Sequence, residues 1–197
     1  MTPLSQLPLD LLDRMERAVE KVRERLTRAA AALDAVGVPY AVIGGNAVGA
    51  WVATEDESAV RNTQDVDLLL RAEDLDRAAE ALSRAGFIRR HSAGIEMFLD
   101  GPHAKARDAV HVILAGQKVR DSDPVAAPDV EPWHQHRDFR LLPLRQLVQM
   151  KLTSFRLKDQ VHLQDMVQVG LIDDTWPDQF PPPLSDRLRQ IIENPEA

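Results

Sequence analysis

Two short motifs in this 197-residue sequence carry residue types that can do chemistry, and they sit near each other in the chain. The first is Asp65-Val66-Asp67, followed by three leucines. Side chains alternate along an extended strand, so both carboxylates point to one face and Val66 points to the other. Two hard oxygen ligands on one rigid strand suit Mg²⁺ or Mn²⁺, which is held by one or two carboxylates plus substrate phosphates. The second motif is Gly44-Gly45, which ends the apolar run Tyr40–Ile43. Without a Cβ the backbone there can take positive φ and approach a ligand closely. Alone, the diglycine also reads as a tight turn, and the aspartates also read as solvated residues at a strand start. Together they read as a phosphate-approach loop facing a divalent-metal site.

Positioning these motifs requires a strand before the glycines, a helix after them and a strand carrying the aspartates. Tyr40–Ile43 and Val66–Leu70 are apolar runs bounded by turn residues, as buried strands are. Asn46–Ala53 reads as a short helix whose N-terminus sits behind the diglycine, where free backbone N–H groups favour anions. Thr54–Asn62 is polar and reads as a loop. Upstream, Leu9 to Val36 places Leu12, Met15, Val19, Val22, Leu26, Ala29, Ala30 and Leu33 at gaps of three and four. That spacing predicts an amphipathic helix packed on a sheet and stopped by Gly37.

Downstream, Glu73–Ala85 reads as a helix closed by Gly86, and Phe87–Arg90 with Ile95–Leu99 as a strand pair around His91-Ser92-Ala93-Gly94. Ala109–Leu114 (AVHVIL) reads as a buried strand, Gly116–Pro132 as an irregular loop and Phe139–Leu142 as an edge strand. Leu144–Val169 reads as helical, as does Leu184–Ile192. The predicted class is α+β: a small mixed sheet with helices on at least one face, in a single domain over 1–197. Within it, 1–36 is the N-terminal helix, 37–142 the α/β core and 143–197 a helical part.

Composition narrows the function. With 24 Lys+Arg against 31 Asp+Glu the net charge is −7, so the chain has no global attraction for nucleic acid. The absence of cysteine excludes disulfides, thiolate metal sites and a thiol nucleophile. The first ten residues lack the basic start and apolar core of a signal peptide, and no apolar run reaches a membrane span, so a cytoplasmic protein is expected. His134 and His136 lie in a Pro-rich stretch with no third ligand nearby and read as surface residues. Trp133 and Trp176 read as loop anchors.

The ordered set of GGNAV, a polar loop, Arg61-Asn-Thr-Gln-Asp-Val-Asp-Leu68 and the later run KLTSFRLKDQVHLQDM resembles the nucleotidyltransferase superfamily. Within it the chain is most similar to small bacterial proteins related to abortive-infection (AbiEii-type) toxins and minimal nucleotidyltransferases. The resemblance spans roughly residues 40–170. It implies an NTP bound through Gly44, Gly45 and Asn46 and a divalent ion, Mg²⁺ or Mn²⁺, on Asp65 and Asp67. The nucleotide would pass to a hydroxyl of an unidentified acceptor: RNA, protein or a small molecule. It also implies a toxin–antitoxin or defence setting with a cognate antitoxin or toxin partner. Lys151 corresponds to a downstream lysine that contacts the triphosphate. Arg156, Lys158 and Asp159 match an R-x-K-D run on the same helix that lines the site or ties the helix to the core. Arg61 and Thr63 position the loop. Read without the resemblance, Lys151, Arg156 and Lys158 are a solvated helix face, with Lys151 in solvent and of little weight for stability.

Two departures from the family pattern stand out. Nineteen residues separate Gly45 from Asp65, a long gap that an insertion near Glu55–Ser58 accounts for. The family's third carboxylate belongs on the strand AVHVIL, where the inward position is His111, with Asp108 just before the strand as the other candidate. His111 is thus either a satisfied core histidine or a site residue that accepts a proton or binds metal. Its presence keeps a second reading open: a degenerate, non-catalytic nucleotide-binding or protein-interaction module.

Overall fold

The computed structural model describes residues 9–92 and 94–194. Residues 1–8, 93 and 195–197 and the side chains of Leu9, Asp10 and Leu12 therefore lie outside the described residues. Helix α1 (Leu9–Ala35) leads into β1 (Tyr40–Ile43), α2 (Gly44–Val52), β2 (Val66–Leu70) and α3 (Leu75–Arg84). The hairpin β3 (Ile88–Ser92) and β4 (Ile95–Leu99) follows, then β5 (Ala109–Leu114). After the predicted irregular stretch come β6 (His134–His136), β7 (Phe139–Leu141), α4 (Leu144–Ser154), α5 (Leu157–Gln168) and α6 (Leu184–Glu193). This is the α+β class read from the sequence, with seven strands in one mixed sheet ordered β3-β4-β5-β2-β1-β7-β6.

The strands that carry the motifs lie at the sheet centre. β2 pairs antiparallel with β1, placing Ile43 opposite Asp67, and parallel with β5, placing Asp67 opposite His111. On the face away from Asp67, Val66, Leu68, Leu70, Val110 and Val112 are buried in the main core. α1 contributes Val22, Leu26, Ala29, Ala30 and Leu33 to that core, each burial of a leucine side chain being worth about 1.5–3 kcal/mol. Gly37, at φ +63°, ends the helix as expected.

Three expectations need correction. Met15 and Val19 share the helical stripe but are 53% and 42% exposed, Val19 facing an open cavity rather than the packed core. Phe139–Leu141 is not an edge strand. It pairs in parallel with β1, and the edge is formed by His134–His136, which was read as part of the Pro-rich loop. Finally, the KLTSFRLKD run is not one helix. Phe155 adopts a left-handed conformation (φ 45°) and separates α4 from α5. Arg187 of α6 holds this break by donating to the carbonyls of Leu152 (2.6 Å) and Thr153 (3.0 Å) at the end of α4.

Candidate functional site

The glycines do not form a loop ahead of the helix, as predicted, but are its first turn: α2 begins at Gly44. Gly44 takes φ +68°, and a Cβ there would lie 2.8 Å from Asp67 Cγ. A Cβ on Gly45 would meet Thr63 Oγ1 at 2.8 Å. Each glycine therefore lets one part of the Asp-containing segment close against the helix N-terminus. The first N–H groups of α2 have no intrahelical partner, and no side chain caps them. They open the helix beside the carboxylates.

Asp65 is held at three points. Its carbonyl accepts from Asn46 Nδ2 (2.7 Å), its N–H donates to Thr63 Oγ1 (3.4 Å), and its carboxylate pairs with Lys158 Nζ (3.3 Å). Asn46 thus acts on the loop through its side chain as well as through the helix terminus. Arg61 also positions the loop, donating to Asp165 of α5 at 2.7 Å.

Asp67 is partly covered, and His111 Nδ1 lies 3.8 Å from its Oδ1, too far for a hydrogen bond. Burial pushes the Asp67 carboxyl above its ordinary range. His111, Lys151 and Lys158 pull the other way and Asp65 adds to the rise. Strand alternation thus sends His111 to the carboxylate face. Beyond it in the sheet comes Met97 of β4, not an acid. Asp108 turns elsewhere, its Oδ1 3.9 Å from Arg25 of α1. Among the described residues no group of three His, Cys, Asp or Glu is placed to hold a metal ion by itself.

Lys151 departs most from expectation. It is 7% exposed rather than solvent-facing, and its Nζ sits 3.1 Å from Asp159 Oδ1. In one continuous helix, residues eight apart would be roughly 12 Å apart along the axis, so the break at Phe155 is what brings this pair together. Burial alone would raise Asp159, but Lys151, Ser154 and Arg156 overcome it and hold the carboxyl below its usual range. Burial draws the Lys151 ammonium down, with Asp159 and Asp67 offsetting part of that. Arg156 stays largely exposed and pairs with Asp159 (3.0 Å), so Asp159 ties the start of α5 to α4.

Sequence reading missed two residues of α5, Asp165 and His162. Their spacing from Lys158, His162 at i+4 and Asp165 at i+7, is the signal that places all three on one helical face. His162 is buried, its Nδ1 has no hydrogen-bond partner, and burial with Lys151 and Lys158 nearby lowers its pKa to about 4. A cavity of about 250 Å³ lies between α1, α2 and the β6–β7 hairpin. Gly45, Asn46 and Thr63 line it, whereas Asp65, Asp67 and His111 do not. His134 and His136 stand away from the carboxylates. His134 packs edge-on against Trp51 and His136 against Phe139.

No protein-family model and no curated protein matches the chain. Solved structures do. The chain is similar to JHP933 from Helicobacter pylori over 97% of its own length and 78% of the other chain, with a TM-score of 0.51 at 13% identity. It is also similar to the solution structure of the antibiotic-resistance factor ANT(2'')-Ia, with a TM-score of 0.48 at 14% identity over 92% of each chain. The same factor in complex with adenylyl-2''-tobramycin gives a TM-score of 0.44 at 13% identity, covering 86% of this chain and 95% of that one. At such identities the likeness is one of fold alone: a mixed α+β fold shared with JHP933. Among the described residues no helix is long and apolar enough to cross a membrane.

Proposed function

We propose that this chain is a nucleotidyltransferase that moves a nucleotide from an NTP to an acceptor hydroxyl. The observation that carries the reading is the seating of Gly44 directly on Asp67, which brings an uncapped helix N-terminus against the first carboxylate of β2, two residues after Asp65. That pairing serves a substrate with phosphates on one side and cations on the other.

In this reading the N–H groups of Gly44, Gly45 and Asn46 hold phosphate oxygens, and Asp65 and Asp67 hold the cation. Two carboxylates, with no third ligand placed beside them among the described residues, suit Mg²⁺ or Mn²⁺ completed by phosphate oxygens and water. Held there by Asp65 and Asp67, a cation would supply positive charge against the charge that develops on the departing pyrophosphate. The acceptor oxygen forms its bond to the α-phosphorus as the bond to pyrophosphate breaks. His111, beside Asp67, is the group on this face that takes the acceptor proton. Lys158 and Arg156, on the exposed side of α5, add positive charge for the triphosphate. Lys151 acts at one remove, by fixing Asp159 and its field at Asp67. The AbiEii-type resemblance adds a toxin–antitoxin setting with a partner chain in the cytoplasm.

A second reading, a nucleotide-binding relic, is favoured by one observation: His111 and then Met97 occupy the sheet positions beside Asp67 where a third carboxylate would complete the metal site. Incubation with labelled NTPs, Mg²⁺ and total RNA or cell lysate separates the two. Label on an acceptor, lost in Asp65→Asn, supports transfer. Nucleotide binding without any label transfer supports the relic.

A further inference from the structure

The two lysines nearest the carboxylates are held in opposite ways. Lys151 is locked: its side chain is 9% exposed, its partner Asp159 is 2% exposed, and leaving would strand a buried charge. Lys158 is loose. Its ammonium touches Asp65 Oδ2 at 3.3 Å while 57% of its side chain and 36% of that of Asp65 lie in solvent. A solvent-screened pair of this kind is weak and easily exchanged. Asp65 itself does not depend on it, because Asn46 and Thr63 hold its backbone. Nor does the docking of its loop on α5, which the Arg61–Asp165 pair secures separately at 2.7 Å.

We propose that Lys158 is a resident counter-ion of Asp65: it covers the carboxylate oxygen that a divalent cation would take and yields it when metal arrives with nucleotide. The inference rests on the proposed transferase reading. An ammonium on Asp65 repels a divalent cation at the same carboxylate, so metal alone must push Lys158 aside with nothing offered in return. A metal–triphosphate complex offers the released ammonium anionic oxygens within the swing of a four-carbon side chain. The exchange couples the two ligands, so metal and nucleotide bind together better than either binds alone. It also keeps the two carboxylates partly neutralised until substrate is present. Lys151 cannot serve here, since its ammonium is committed to Asp159.

Isothermal titration of Mn²⁺ into the full chain, with and without ATP, tests the exchange in wild type, Lys158→Met and Lys158→Arg. The methionine variant is expected to bind Mn²⁺ alone about fivefold tighter, the removal of a weak competing pair. The same variant should bind Mn²⁺·ATP more weakly than wild type, and the arginine variant should restore the wild-type order in both titrations. A merely structural lysine would lower both affinities or neither. If Lys158→Met binds Mn²⁺ alone no tighter than wild type while both bind Mn²⁺·ATP, the counter-ion role is overturned and the transferase reading stands. If neither protein binds ATP at all, the transferase reading fails and takes this inference with it.

Discussion

Gly44 and Asp67 are packed so closely that no side chain fits between them: a Cβ on Gly44 would lie 2.8 Å from Asp67 Cγ and 2.9 Å from its Cβ. The two motifs that stand apart in the sequence are thereby one unit, in which the geometry of the helix start fixes a carboxylate on the adjacent strand. Register reinforces it, since Asp67 is opposite Ile43, the residue just before Gly44.

Gly44→Ala should therefore do more damage than a surface alanine. It forces a positive φ of +68° on a residue with a Cβ and pushes that Cβ into Asp67. A loss of about 1–3 kcal/mol in stability is expected, with metal–nucleotide affinity falling as Asp67 shifts. Chemical denaturation and calorimetry check both. Wild-type stability and binding in the variant would mean that the close approach has no role.

Lys151→Ala is expected to unsettle the fold rather than only the site. Removing one member of a buried pair costs on the order of 3 kcal/mol, which for a chain of this size lowers the melting temperature by roughly 6–12 °C. Joint replacement, Lys151→Met with Asp159→Leu, should be milder than the single change because no uncompensated carboxylate remains. Thermal melts of the three proteins decide it, and a single variant that melts like wild type contradicts the structural role.

This lysine marks the boundary of what the sequence discloses. Buried apolar runs between turn residues announce themselves, which is why the central strands and the turning of His111 toward the carboxylate face were legible, while its register opposite Asp67 was not. Alternation alone put Val110 and Val112 in the core and His111 on the other face. Lys151 was not legible, because its burial depends on a helix break at a non-glycine residue, Phe155, capped by Arg187 from far downstream. Likewise His134–His136 is polar and becomes a strand only because β7 offers it a partner. The stripe of α1 showed the right period but not where the packed core beneath it ends, so Met15 and Val19 were placed in a core they do not reach.

His162 predicts an acid-side loss of stability. Its folded pKa is about 4 against an ordinary 6.5, lowered first by burial and then by Lys151 and Lys158. Between those values the unfolded chain takes up a proton that the native state refuses, so stability rises with pH across the window and falls as pH drops through it. At pH 5 this single group accounts for about 2 kcal/mol. His162→Leu should remove about 2 kcal/mol from the stability change between pH 7.5 and pH 5, or roughly 4–8 °C in melting temperature. A variant that keeps the full wild-type slope would show that His162 is not the titrating group.

Replacing His111 by Asp would set a third carboxylate beside Asp67 at the register the sheet already provides. Tighter Mn²⁺ binding or faster label transfer is expected, the new carboxylate taking over the acceptor proton from His111. Competition assays with a metal indicator report the first and transfer assays the second. No change in either would mean that the site is not short of a ligand.

Asp65 and Asp67 are proposed to act together on a nucleotide-bound cation. Calorimetric titration of ATP with and without Mg²⁺, into wild type and into an Asp65→Asn, Asp67→Asn double variant, measures that directly. The wild type should bind ATP at least tenfold tighter with Mg²⁺ present, a gain of about 1.4 kcal/mol, and the double variant should lose that gain while still melting cooperatively. Equal Mg²⁺-dependent binding by the two proteins would contradict it.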